Sequence, residues 1–288
     1  IIGFWWLDTV GESRDWTDDH SKQLGVIANI FADTQAKVDA EREIYQMALY
    51  DELTGLPNRA LFNSHMEKAL SLAERSNEMI GIVFVDLDSF KQINDTMGHN
   101  FGDQILKLAS ERLSLGTRKY DTVSRFGGDE FLIMLPQMTS PEQIQQAANK
   151  IMSSFSEPIF VNEQEIFLTA SAGISIYPFD GMNIEALIKN ADLAMYSAKE
   201  RGKNRYAFYS DLMETDLQKN VHMTNQLHRA LERGELILYY QPQISIETGR
   251  IIGTEALLRW QHPSMGMIAP GVFIPLAENT GLINKIGL

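Results

Sequence analysis

Apolar residues recur along this chain in different rhythms, and each rhythm predicts a different element. From about Asp18 to Tyr50 the spacing is helical, with Leu24, Phe31, Val38 and Tyr45 standing seven residues apart. The partner positions Ile27, Thr34, Glu41 and Ala48 are only partly apolar, so the seam is one-sided. It suits either a short coiled coil or an amphipathic helix packed on its own domain. The polar stretch 35–43 favours a linker for the second half. Ahead of it, residues 1–10 read as a strand, Gly11-Glu12-Ser13 as a turn, and Thr17 as a helix N-cap followed by Asp18 and Asp19.

After Asp51 the rhythm alternates. A turn-rich segment, 51–59, opens a helix that ends near Asn77. Residues 80–85 are an unbroken apolar run, which predicts a central strand buried on both faces. A helix over 103–115 follows. Short strands at 122–125 and 131–135 flank Gly127-Gly128, a hairpin pattern. A helix is predicted over 141–155, a strand pair over 159–161 and 166–177, a helix over 184–200 ending at Gly202, and a closing strand over 205–209. This order predicts an α/β or α+β sandwich with one central sheet flanked by helices. A connecting helix, 210–233, leads to strands at 235–240 and 250–260 that open a new unit.

The chain has 288 residues, enough for about two domains of ordinary size. It contains no cysteine, which excludes a disulfide scaffold, a cysteine zinc site and a thiol nucleophile, and fits a cytoplasmic location. A net charge of −13 argues against broad binding to nucleic acid or to an anionic membrane. It leaves room for a small basic pocket that takes a phosphorylated ligand. No apolar run approaches the length of a membrane span. The chain does not begin with Met and reads as part of a longer protein, so a membrane anchor elsewhere in that protein stays open.

Two acidic segments carry candidate chemistry. Val85-Asp86-Leu87-Asp88-Ser89-Phe90-Lys91 leaves the buried strand at its C-terminal edge, where α/β folds place ligands. Arg125-Phe126-Gly127-Gly128-Asp129-Glu130-Phe131 forms the hairpin, whose glycines let backbone approach a ligand closely. Asp86 and Asp129 together suggest Mg²⁺ held by hard oxygen ligands, and with it bound phosphates. Each segment alone reads as a solvated turn; the two in combination favour the site.

Arg125 to Phe131 resembles the signature of the GGDEF family, the diguanylate cyclases. The residues from Asp51 to Arg59 are similar to that family's opening motif. Asp86 to Lys91, with Asn94-Asp95-Thr96-Met97-Gly98-His99 and Gly102-Asp103, matches its nucleotide-binding segment. Ala191-Asp192-Leu193-Ala194-Met195-Tyr196-Ser197-Ala198-Lys199 matches its last helix. Several motifs in family order over about residues 45–209 make the resemblance specific. It implies a fold like the palm of nucleotide cyclases and polymerases, and condensation of two GTP into cyclic di-GMP with release of pyrophosphate. It implies Mg²⁺ (or Mn²⁺) on Asp86, the Leu87 carbonyl, Asp129 and Glu130. Asn94 and Asp103 would hold guanine, with His99 beside them. Lys91, Lys199 and Lys203 would take phosphate charge; the family often has Arg where Lys203 stands. Asp129 would act as base toward the 3′-hydroxyl, with Glu130 as the rival, so the catalytic set is Asp129, Glu130 and Lys91. Arg118 and Asp121 stand where the family has an inhibitory product site, and an exposed ion pair is the alternative. Two GTP-bearing domains must face each other, which implies a homodimer assembled through the seam.

Downstream, Tyr239-Tyr240-Gln241-Pro242, Glu255-Ala256-Leu257-Leu258-Arg259-Trp260 and 270–278 resemble the start of the EAL family of cyclic di-GMP phosphodiesterases. By resemblance Glu255 would bind metal, while Gln241 and Arg259 would contact substrate. That family's (β/α)-barrel needs about 250 residues, so only its beginning is present. Leu7-Asp8 and Trp16, leading into the long helix, are similar to the last elements of GAF sensor domains. The expected organisation is a GAF-like end over 1–35, a signalling linker over 36–50, a GGDEF domain over 51–209, a connecting helix over 210–234 and the start of an EAL domain over 235–288. Two functions fit: an active cyclase under sensor control, or a GTP-binding module that tunes the attached EAL domain. A coiled-coil assembly element alone would explain the seam but not the carboxylates.

Overall fold

The computed structural model describes residues 18–287. The strand, turn and N-cap expected before Asp18, and the first part of the GAF-like segment, lie outside the described residues. Helix α1 (Asp18–Leu49) is continuous, as the seam predicts. It does not pack as a buried amphipathic helix: Phe31, Val38 and Tyr45 are 51% to 57% exposed. Its end runs into α2 (Arg59–Ser76), which is capped by Asn58 and closed by Asn77 in the left-handed conformation.

Then follow β1 (Met79–Leu87), α3 (Phe90–Met97), α4 (His99–Gly116), β2 (Thr122–Gly127), β3 (Glu130–Met138) and α5 (Pro141–Ser153). The small hairpin β4 (Ile159–Val161) and β5 (Gln164–Ile166) precedes β6 (Ala170–Tyr177), α6 (Ile184–Glu200) and β7 (Arg205–Phe208). The main sheet has the order β2-β3-β1-β6-β7, antiparallel except for the β6–β7 pair. The mixed α/β class and the central β1 agree with the sequence.

Two local expectations need correction. Residues 166–177 are not one strand: β5 pairs with β4, and β6 joins the main sheet. The break carries Thr169, whose carbonyl accepts from the Asp88 amide at 2.9 Å and whose hydroxyl donates to the Asp88 carboxylate at 2.8 Å. The short helix α3 was not expected, and α4 starts earlier than residue 103.

Alternation along β1 divides the core. Val83, Val85 and Leu87 face α4 and α5, together with Phe101, Ile105 and Ile144. Ile80, Ile82 and Phe84 face α2 and α6, together with Phe62, Met66, Leu187 and Met195. On β6 the positions toward α6 are small: Ser171, Gly173 and Ser175. The Ser175 hydroxyl donates to the Leu187 carbonyl at 2.7 Å. A Cβ on Gly173 would lie 1.9 Å from the Ala191 carbonyl oxygen and 2.1 Å from the Met195 nitrogen. Helix α6 therefore rests directly on the sheet backbone.

Helix α7 (Asp211–Arg233) leads to a second unit of β8 (Leu236–Ile244), β9 (Ile251–His262), β10 (Gly266–Ile268), α8 (Pro270–Asn279) and α9 (Ile283–Ile286). Its core holds Leu227 and Ala230 of α7 with Trp260, Phe273 and Leu276. The strands form a three-stranded antiparallel sheet, and no barrel closes among the described residues.

The close seat of α6 gives a stability prediction. Gly173→Ala forces helix and sheet apart and should cost about 3 kcal/mol. Urea unfolding of the two chains measures this; a change below about 0.5 kcal/mol would show that the seat is not tight.

Candidate functional site

The same alternation that sends Ile82 and Phe84 toward α6 sends Asp86 there as well, at the end of β1. Register sets Asp86 opposite Glu130 on β3 and opposite Ser171 on β6. Because α6 lies close, Lys199 in its last turn reaches the sheet edge, and Lys199 Nζ stands 2.7 Å from Asp86 Oδ2. Asp192, two helical turns earlier on α6, adds a further carboxylate near Glu130, one to which the sequence reading gave no role.

The electrostatics follow from crowding. Burial pushes the Asp86 carboxyl above its ordinary range; Lys199 opposes the shift, while Asp129 and Asp88 add to it. Burial also raises Glu130, and the negative charges of Asp192, Asp86 and Asp129 raise it further. Asp192 is raised by burial against the pull of Lys199. Several acidic groups thus share one edge, with the Lys199 ammonium in contact with Asp86. Their hard oxygens suit a divalent cation. Among the described residues no three His, Asp or Glu side chains converge tightly enough to hold a metal alone.

Asp88, quoted in the sequence motif without a role, is structural. Its carboxylate accepts from Ser171 Oγ at 2.7 Å, Thr169 Oγ1 at 2.8 Å and the Asn204 amide at 3.0 Å. It ties the end of β1 to β6 and to the turn after α6. In that turn Lys203 adopts φ +58° and its Nζ lies 3.2 Å from Ser89 Oγ. Ser89 itself has φ +60° and leaves the N-terminus of α3 without a side-chain cap. An open helix N-terminus beside Lys203, with the exposed Lys91 in its first turn, is a ready anion cradle. Lys199 thus contacts Asp86, while Lys203 stands at Ser89 and Lys91 in the first turn of α3.

The expected guanine residues lie across the corner between α3 and α4, where Gly98 has φ +87°. Asn94 packs on Gly102: a Cβ there would sit 1.9 Å from Asn94 Oδ1, an oxygen that is buried without a hydrogen-bond partner. Asp103 follows Gly102 on α4 and is exposed, as is His99 at its start. The Arg118–Asp121 pair lies on the loop after α4. Asp121 Oδ2 accepts from the Arg118 backbone amide at 2.6 Å, closing a tight turn that leaves the Arg118 side chain exposed. Burial raises the Asp121 carboxyl. Both residues line a cavity of about 660 Å³ that also touches α2.

In the second unit, Gln241 pairs with Glu255 and Ile237 with Arg259 across β8 and β9, so Gln241, Glu255 and Arg259 share one face. Arg259 lies over the Tyr239 ring at 5.8 Å.

The profile of the family described as diguanylate cyclase, GGDEF domain, matches residues 48–205. The chain belongs to the GGDEF family. A match to the EAL domain follows over residues 224–288. Over 248 residues the chain is 43% identical to the bifunctional diguanylate cyclase/cyclic di-GMP phosphodiesterase MucR of Pseudomonas aeruginosa, covering 86% of this chain and 36% of that protein. The chain thus spans about a third of the length of such curated relatives. Among solved structures, the GGDEF domain of the protein called TpbB or YfiN from Pseudomonas aeruginosa aligns at TM-score 0.57 and 34% identity, covering 59% of this chain and 99% of that one. The coiled coil and GGDEF domain of DgcB from Caulobacter crescentus, in complex with c-di-GMP, aligns at 0.53 and 25% identity, covering 63% and 98%.

The raised carboxyls give a pH prediction. A group whose pKa rises on folding contributes stability below its unfolded pKa and loses it as pH climbs through the raised value. At neutral pH, without added metal, Glu130 is therefore a net cost. Glu130→Gln should raise the melting temperature at pH 7 by about 2 °C, and the gain should vanish on acidification through the raised pKa. A gain that is independent of pH would contradict the crowding.

Proposed function

We propose that this GGDEF domain is a diguanylate cyclase that condenses two GTP into cyclic di-GMP and two pyrophosphates. The observation that carries the reading is the meeting of Asp86, Glu130 and Lys199 at one sheet edge, beside the uncapped N-terminus of α3. Asp86, Asp129, Glu130 and the Leu87 carbonyl are the groups that would hold Mg²⁺ or Mn²⁺. When bound, such a cation activates the attacking oxygen and neutralises phosphate charge. Lys199 and Lys203 neutralise the triphosphate and Lys91 stabilises developing charge on the transferring group. Asn94 and Asp103 read guanine, because a carboxylate accepts from its N1 and N2 donors, and His99 stands at the pocket's rim. Asp129 takes the 3′-hydroxyl proton, with Glu130 as the alternative.

One domain presents one GTP, so the reaction needs two copies, each supplying the other's nucleophile. Phe31, Val38 and Tyr45 of the α1 seam stay exposed in a single chain, Leu24 less so, and the seam is the surface on which a second copy would associate. Arg118 and Asp121 are read as the product site that limits synthesis; Arg118→Ala should weaken inhibition in a cyclic di-GMP titration. The first 35 residues are read as the end of a GAF-like sensor, on sequence resemblance alone. Among the described residues no helix is long and apolar enough to cross a membrane.

A second reading has one specific support. Asp86 is already paired with Lys199, so a site closed in this way would bind GTP and tune the EAL unit without turnover.

Incubation with GTP and Mg²⁺, followed by product chromatography, separates the two. Cyclic di-GMP should form at a rate per molecule that rises with protein concentration. Asp129→Ala should lose at least about a hundredfold. Leu24→Asp with Phe31→Asp should lower the rate in dilute solution and leave GTP binding intact. GTP binding without product, or full activity of Asp129→Ala, would overturn the cyclase reading.

A further inference from the structure

We propose that Lys199 competes with the divalent cation for Asp86: its ammonium holds the carboxylate until a triphosphate draws it away, so that nucleotide and cation bind cooperatively. The part played by the triphosphate rests on the cyclase reading; the competition at Asp86 rests on geometry alone.

Neither backbone can retreat from the pair. Asp86 sits on β1 with strands on both sides, opposite Glu130 of β3 and Ser171 of β6. Lys199 Nζ lies 2.7 Å from Asp86 Oδ2, the distance of a charge-assisted hydrogen bond. The side chains are 30% and 10% exposed, so salt screens the pair weakly. Lys199 hangs from a fixed helix end. Ala198 is fully buried, and the turn of α6 at Ala194 and Met195 rests on Gly173. The Gly202 amide donates to the Lys199 carbonyl at 3.2 Å, and the Lys203 amide donates to the Ala198 carbonyl at 3.2 Å. Only the flexible stem of Lys199 is left to move.

A carboxylate that already accepts an ammonium is a poor ligand for a second cation, because the two positive charges would stand side by side. The edge offers no ready substitute. Asp88, two positions on, is committed to Ser171, Thr169 and the Asn204 amide. Among the described residues no three His, Asp or Glu side chains converge to hold a metal without help. The ammonium has a second destination close by. Ser89 stands three positions after Asp86, and Lys203, four after Lys199, brings its Nζ to 3.2 Å from Ser89 Oγ. An anion held there stands beside the segments that carry both members of the pair. A triphosphate bears several negative charges and outcompetes one carboxylate for the ammonium; Asp86 is then left bare beside Glu130 and takes the cation. By linkage the cation favours the nucleotide as much as the nucleotide favours the cation. The pair thus keeps the edge from loading metal without substrate.

Mn²⁺ titrated into the full 288-residue chain without nucleotide, and followed by electron paramagnetic resonance, tests the competition without relying on catalysis. Lys199→Gln should bind Mn²⁺ about tenfold more tightly than the wild-type chain. Lys199→Arg keeps a cation on Asp86 and should bind it no more tightly than wild type. Lys91→Gln removes an exposed positive charge that does not touch Asp86, and should change the affinity by less than about threefold. A second arm measures binding of 3′-deoxy-GTP, which has no 3′-hydroxyl to react, in the presence of EDTA. Asp86→Asn frees Lys199 and should tighten this binding about tenfold. Glu130→Gln removes a charge from the same edge, leaves the pair in place, and should tighten it by less than about threefold. Equal Mn²⁺ affinity in wild type and Lys199→Gln, or an equal gain from Lys91→Gln, would overturn the competition. If Lys199→Gln does not fold, the 3′-deoxy-GTP arm decides in its place. A wild-type chain that makes no cyclic di-GMP from GTP and Mg²⁺ would sink the cyclase reading, and the Mn²⁺ titration would still decide the competition.

Discussion

Helix α6 lies on bare sheet backbone, and the rest of the site depends on that contact. Ser171, Gly173 and Ser175 leave no side chain large enough to hold the helix away. The short distance carries Lys199 to Asp86 at the edge of β1. Without an ammonium there, the half-buried Asp86 would lose its ion-pair partner beside Glu130, which is expensive in a low-dielectric setting. The fold therefore brings cation and carboxylates together through one packing decision. The remaining negative charge leaves the edge prepared for a further cation and for phosphate.

Two fastenings hold this edge from opposite sides. On one side Asp88 ties β1, β6 and the turn that carries Lys203. On the other, Arg125 joins the hairpin to the turn that ends α1. The first positions groups toward phosphate; the second connects the hairpin to the long exposed helix upstream. Helix α7 leads away from the domain, with its last turns in the core of the second unit. The site thus lies in a domain with the long exposed α1 before it and α7 after it, and the chain matches both the GGDEF and the EAL families.

Much of this was legible in the residues. The apolar run of β1, the Gly-Gly hairpin and the bounds of α6 follow from patterns strong enough to survive any tertiary context. The family motifs point to Asp86, Asp129, Glu130 and Lys199 from the sequence alone. What was not legible depends on contacts between distant segments. Helix α3 spans eight residues, shorter than the window over which a helical period is read. The split between β5 and β6 follows from Thr169 bonding to Asp88, a pairing 81 residues apart. Asp192 stands in the last-helix motif without a role of its own; its place seven residues before Lys199 on the same face is the available signal. Arg125 and Asp51 were quoted as motif residues, but their ion pair spans 74 positions and no local rule joins them.

The central claim is that the gathered carboxylates and lysines serve nucleotidyl transfer: the 3′-oxygen of one GTP bonds to the α-phosphorus of another, and the bond to the β-phosphate breaks to release pyrophosphate. The ratio of pyrophosphate released to GTP consumed tests it most directly, measured with Mg²⁺ at high protein concentration. The account predicts one pyrophosphate per GTP, with negligible free phosphate. GTP consumed with release of GDP and inorganic phosphate would contradict it, because the same edge would then be activating water and not a 3′-hydroxyl.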